Sequence, residues 1–132
     1  MADELTLKVI TPAGLALEEQ VETVVLKGEM GEFGVLAGHV PMVSTLVAGT
    51  MRYESAKGEE KTFIIHRGVS EVREDTVTVL TKALESPGDM SVSEAAKEAE
   101  EIEQSLEDGS LSDEEHKRLS ERLMLVRARA GM

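Results

Sequence analysis

Residues 84–94 read Leu-Glu-Ser-Pro-Gly-Asp-Met-Ser-Val-Ser-Glu, and within Ser86-Pro87-Gly88-Asp89 the hydrophobic period of the chain changes. Ahead of this break apolar and polar residues alternate. Leu5, Leu7 and Val9 alternate with Thr6, Lys8 and Ile10; Val21, Thr23 and Val25 with Glu22 and Val24; Thr76, Thr78 and Leu80 with Val77, Val79 and Thr81. Period two is the signature of half-buried strands. Turn residues punctuate them at Pro12 and Gly14, Gly28, the cluster Gly31, Gly34, Gly38 and Pro41, then Gly49, Lys57-Gly58, Gly68 and Glu74-Asp75. Many short strands at roughly eight- to twelve-residue spacing predict an antiparallel sandwich or flattened barrel. Lys57-Gly58 is the expected tip of one hairpin, with the glycine at positive φ.

Past the break the reading becomes helical. Ser91 is followed three places later by Glu94, and Ser112 by Glu115, so two segments open with capping boxes that satisfy free backbone N–H groups. Val92, Ala95, Ala96, Ala99, Ile102 and Leu106 fall on one helical face; Leu119, Leu123, Val126 and Ala130 fall on another. The pattern predicts helices from Ser91 to about Glu107 and from Ser112 to about Ala130, antiparallel across a short turn at Gly109. The chain thus divides into a β domain, residues 1–86, and a helical hairpin, residues 87–132. Because the first stripe is mostly alanine it buries little area, at roughly 25 cal/mol per Å2. Such a hairpin is expected to be marginal alone and able to detach, with Pro87 and Gly88 as the hinge.

Charge and composition exclude several function classes. The 132 residues carry 14 Lys and Arg against 26 Asp and Glu, a formal charge of −12. This field opposes phosphate backbones and anionic lipid, so no nucleic-acid binding is expected. Only Phe33, Tyr53 and Phe63 are aromatic, too few for a base-stacking platform. The absence of cysteine removes thiolate nucleophiles and zinc-thiolate sites. No apolar run approaches the roughly 18 residues that span a bilayer, and the acidic Met-Ala-Asp-Glu start is unlike a signal peptide, so a soluble, unexported chain is expected. The charge is also uneven. Residues 1–86 carry −6, residues 87–112 carry −7, and residues 113–132 carry +1 with Arg118, Arg122, Arg127 and Arg129. Acids leading each helix and arginines closing the second complement the helix dipole, which does not itself call for four arginines.

No catalytic constellation emerges. His39, His66 and His116 have no metal-ligand spacing, and the hydroxyl residues lack an adjacent base or a nucleophile elbow. A histidine between Gly38 and Val40 is expected to hold a turn through loop carbonyls. Gly28-Glu29-Met30-Gly31-Glu32-Phe33-Gly34 is no phosphate cradle, since two carboxylates occupy it and Pro41 follows. Read as a loop, it projects Glu32, Phe33, Val35 and Leu36, either as a protein-contact surface or as a buried plug. The expected cofactor set, catalytic set and metal set are all empty.

The segment Gly31-Glu32-Phe33-Gly34-Val35-Leu36-Ala37-Gly38-His39-Val40-Pro41-Met42-Val43 resembles the glycine-rich loop of the epsilon subunit of rotary F-type ATP synthases. The opening strand with Pro12 and Gly14, Val47-x-Gly49-x-Met51-Arg52, and Gly68-Val69-x-Glu71-Val72 before Val77-x-Val79-Leu80 follow the same plan. The resemblance implies a ten-stranded β-sandwich followed by two C-terminal helices. It implies a non-catalytic subunit of the central stalk that binds the gamma subunit and seats on the c-subunit ring, coupling proton or sodium translocation to ATP synthesis. Glu32, Phe33, Val35, Leu36, His39 and Pro41 carry over as ring or gamma contacts. The hairpin would fold on the sandwich or extend toward the alpha and beta subunits, where Arg118, Arg122, Arg127 and Arg129 would meet an acidic segment and block ATP hydrolysis. The implied location is peripheral, on the cytoplasmic face of the bacterial inner membrane. Some members bind ATP through an aspartate and an arginine opening the first helix. Here these positions are Ser91 and Glu94, and a carboxylate facing phosphate opposes binding, by about 1 kcal/mol at 4 Å even in water. Weak or absent ATP binding is therefore expected, against the alternative of a stand-alone ATP-sensing module; an unrelated enzyme on a sandwich scaffold has no nameable acid, base or nucleophile.

Overall fold

The computed structural model describes residues 4–87 and 91–131. Nine strands precede two helices: β1 (Leu5–Thr11), β2 (Gly14–Gly28), β3 (Gly31–Leu36), β4 (Met42–Leu46), β5 (Gly49–Ser55), β6 (Glu60–Ile65), β7 (Gly68–Arg73), β8 (Thr76–Thr81), β9 (Leu84–Glu85), α1 (Val92–Leu106) and α2 (Asp113–Arg129). Gly88, the second expected hinge residue, lies outside the described residues, and Pro87 stands in a turn just beyond β9.

Ten strands are implied by the resemblance and nine are formed among the described residues, because β2 pairs as two strands would. Its first half runs against β1, from Thr11↔Gly14 to Leu5↔Val21. Its second half carries β3 on one edge and β5 on the other. The long strand passes from one layer to the other, and hydrogen bonding runs β1-β8-β7-β4-β2-β5-β6-β9. The crossing also alters the expected alternation. A bulge between Val21 and Thr23 shifts the register, so the buried residues become Val21, Val24 and Leu26 in place of an unbroken odd-numbered set. One pairing departs from the antiparallel plan: β1 runs parallel to β8, with Thr6↔Thr76 through Ile10↔Leu80.

The inward residues of both layers form one aliphatic core, with Leu5, Leu7, Val9, Val35, Leu46, Met51, Val77 and Val79 fully buried. Tyr53 and Phe63 stack at 6.1 Å beside it. At the Lys57-Gly58 tip Gly58 has φ +85°, and the Ser55 hydroxyl accepts from the backbone N–H groups of Lys57 and Glu59. Gly68 is fixed by space: a Cβ there would meet the Leu80 carbonyl oxygen at 1.9 Å.

Both helices start where the serines place them. Ser112 and Glu115 complete the reciprocal capping box of α2, whereas at α1 the Ser91 hydroxyl accepts from the Glu94 N–H without the return bond from the Glu94 side chain, so the box expected there is only half formed. The seam contains Ala95, Ala99, Ile102, Leu123 and Val126; Val92 stays exposed. A second apolar face of α2, Leu125 and Ala128, packs on Ile64 of β6 with Ala48 beside it.

Candidate partner-binding surfaces

The glycine-rich segment is not an irregular loop. Gly31–Leu36 is an edge strand against β2, so parity decides what its side chains do. Val35 is fully buried and Phe33 packs against the core, which is the plug reading; Glu32 and Leu36 face outward, and Glu32 lies 3.6 Å from Arg52. The irregular part begins after Leu36. Gly38 takes φ +83°, and its N–H donates to the Asp75 carboxylate at 2.7 Å, tying the turn to the β7–β8 connection. Glu74 and Asp75 both have positive φ, the geometry of a tight two-residue hairpin. His39 donates its Nδ1–H to the Val40 carbonyl at 2.7 Å, the turn-holding role expected of it. Pinned from both sides, the turn presents Leu36 (58% exposed), Val40 (70%) and Pro41 to solvent, with Val43 (70%) at the start of β4. Val40 and Val43 were not singled out by the sequence pattern; their exposure depends on Pro41 ending the turn and on the phase of β4.

A second exposed apolar set runs across strands. Register aligns Leu15 of β2 with Ile10 of β1, Ile10 with Leu80 of β8, and Leu80 with Val69 of β7. Leu15, Leu80 and Val69 are exposed and form a row across four strands. The row ends at a cleft of about 480 Å3 whose walls include Thr45, Val69 and Met124 of α2.

The pinned turn and the hairpin contact lie at opposite ends of β4. Met42 follows the pinned turn, while Ala48, just past Leu46, touches the hairpin, a separation of about 17 Å for five residues of strand. At the hairpin end the arginines have partners. Arg122 donates twice to Glu98, and Arg127 donates to Glu103, both across the helical seam. Arg129 donates through Nε and Nη2 to the two carboxylate oxygens of Glu85 on β9, at 2.9 and 2.7 Å. The Arg129 guanidinium, with the neighbouring His66, holds the Glu85 carboxyl down at about 2 from its ordinary 4.5, and Glu98 is likewise lowered by Arg122. Arg118 has no ion pair among the described residues. Nothing local in the sequence distinguishes Glu85 among the 26 acids.

Among the described residues no group of three or more His, Asp or Glu is placed to hold a metal, and no helix is long and apolar enough to cross a membrane. A rigid sandwich with apolar outer surfaces, carrying a hairpin held by ion pairs, defines a class of protein that works through contacts with other chains. The particular family follows from comparison. Residues 4–87 match the family described as ATP synthase, Delta/Epsilon chain, beta-sandwich domain. The ATP synthase epsilon chain of Desulfatibacillum aliphaticivorans is 36% identical over 107 residues, 81% of this chain and 76% of that one. The epsilon chain of Nitratidesulfovibrio vulgaris is 38% identical over 106 residues, covering 80% and 78%. The chain belongs to the ATP synthase epsilon chain family, and is a non-catalytic subunit rather than an enzyme. The fold recurs in a chain of the Euglena gracilis mitochondrial ATP synthase OSCP/F1/c-ring structure, at TM-score 0.84 and 22% identity, covering 97% of this chain and 80% of that one.

Proposed function

We propose that the chain is a central-stalk subunit of a proton- or sodium-translocating ATP synthase, peripheral on the cytoplasmic face of a bacterial inner membrane. It couples the c ring to the gamma subunit and restrains ATP hydrolysis through its C-terminal hairpin. The observation that carries the reading is the presence of two exposed apolar surfaces on one sandwich, the pinned turn and the four-strand row, as a coupling element between two partners needs. The turn with Leu36, His39 and Pro41, joined by outward Glu32, takes the ring; Phe33 and Val35 shape this surface from beneath. The Leu15–Ile10–Leu80–Val69 row takes gamma. Residues 87–132 act as the regulatory unit, turning about Pro87 and Gly88. On extension toward the alpha and beta subunits, Arg118, Arg122, Arg127 and Arg129 exchange their present environment for an acidic segment of the beta subunit.

The test is truncation after Ser86 in the assembled complex. ATP hydrolysis should rise while assembly persists, and unchanged hydrolysis would reject the brake. ATP itself is not required by this reading: Ser91 caps α1 and exposed Glu94 stands beside it, so titration of the isolated chain should show no micromolar binding.

A further inference from the structure

We propose that Glu85 is the latch that holds the helical hairpin on the sandwich, through its two-point grip on Arg129. This rests on the reading of residues 87–132 as a moving part, and adds what keeps that part docked.

The hairpin touches the sandwich thinly. Its apolar contact is Leu125 and Ala128 on Ile64, with Ala48 beside them. Among the described residues two ionic bridges join the bodies. Arg67–Glu121 is exposed on both sides, at 64% and 43%, and such pairs contribute little in water. Arg129–Glu85 is different, with the two side chains 16% and 21% exposed. Arg129 Nε donates to Oε1 and Nη2 to Oε2, the parallel fork geometry of a strong guanidinium–carboxylate pair. Oε2 also accepts from His66 Nε2 at 2.6 Å, which fixes the carboxylate from the sandwich side. Thr81 holds the backbone of His66 in turn, its hydroxyl donating to the His66 carbonyl at 2.7 Å.

Position makes the pair a latch. Glu85 is the last strand residue, two places before Pro87, whereas Arg129 closes α2. One contact therefore ties the far end of the movable segment back to the strand from which that segment departs. Arg122–Glu98 and Arg127–Glu103 join α1 to α2, so they travel with the hairpin and do not oppose its departure. Undocking and opening are thus governed by different carboxylates.

The full chain has no cysteine, so two can be introduced for fluorophores, at exposed Lys57 on the sandwich and exposed Glu114 on α2. Single-molecule energy transfer then counts docked and released molecules without the rest of the complex, so the result does not depend on whether hydrolysis is inhibited. Glu85→Gln, which keeps the shape and removes the charge, should raise the released-to-docked ratio about tenfold. Glu103→Gln should leave it unchanged, and Glu85→Arg with Arg129→Glu should bring it back toward the parent value. Circular dichroism of each variant controls for loss of the helices. An unchanged ratio in Glu85→Gln overturns the latch, as does equal release by Glu103→Gln or a charge swap that restores nothing.

Discussion

The sandwich and the hairpin are held by different physics within one chain. The sandwich closes over fully buried leucine, valine and methionine side chains, whereas the hairpin seam is built on Ala95 and Ala99 with Ile102, Leu123 and Val126. Burying a Leu removes far more apolar surface from water than burying an Ala, so each buried residue stabilises the first region more than the second. What the hairpin lacks in apolar area it supplements with directed ion pairs, and Glu85–Arg129 is the most protected of them. A contact made by charge can be exchanged for another charge, which an aliphatic core cannot do.

The strongest way to break this contrast is to make a cavity in the core. Leu7→Ala should cost about 3 kcal/mol of global stability in denaturant titration, since Leu7 is fully buried. A loss below about 1 kcal/mol would show that the sandwich is no better packed than the hairpin. Next comes Gly68→Ala, where the added methyl meets the backbone of Leu80 and not a movable side chain. A cost of about 2 kcal/mol is expected, with a lowered thermal midpoint, because the β7–β8 pairing must spread. Ile102→Ala should lose about as much but locally: hydrogen exchange should quicken in α1 and α2 while the strands keep their protection.

How much of this was legible depended on whether the determinant was local. Helix starts at Ser91 and Ser112 and the Gly58 turn are written in a few adjacent residues, and they formed where expected. The inward set of β2 was not legible past Val21, because a bulge is set by pairing partners far away in sequence. Val35 and Leu36 are neighbours with opposite fates, and only the register of the edge strand separates core from surface. Leu125 and Ala128 lie off the single apolar stripe that the spacing of α2 suggests, because the fold asks that helix to face both α1 and β6. The turn at Gly38 and His39 was readable from its glycine and proline, but its anchor, Asp75, lies 37 residues away.

The hairpin's hold on the sandwich depends on pH. In the docked state the Glu85 carboxyl is held at about 2 against an ordinary 4.5, so docking binds fewer protons than release does. Its contribution is complete above about 4.5, declines as pH falls toward 2, and is gone below. On the order of 1.5 kcal/mol of docking should disappear across that window, as for a hydrogen bond to a charged group. Energy transfer in the labelled chain should show release beginning below pH 4.5, and Glu85→Gln should flatten the profile.

The smallest effect belongs to Arg127. Its pair with Glu103 is exposed by 47% and 46%, joined by one hydrogen bond at 2.9 Å, and free to trade that bond for water. Arg127→Ala should therefore change hairpin stability by no more than about 0.5 kcal/mol, and the difference should vanish as salt is raised from about 0.15 to 1 M, where screening shortens to roughly 3 Å. Glu85–Arg129, two-pronged and mostly shielded, should keep most of its effect at the same salt. The two arginines are two residues apart on one helix and differ in burial and in the number of bonds. If both lose their effect equally in salt, protection from solvent is not what separates a latch from a surface pair, and the hairpin is held by its long-range charge alone.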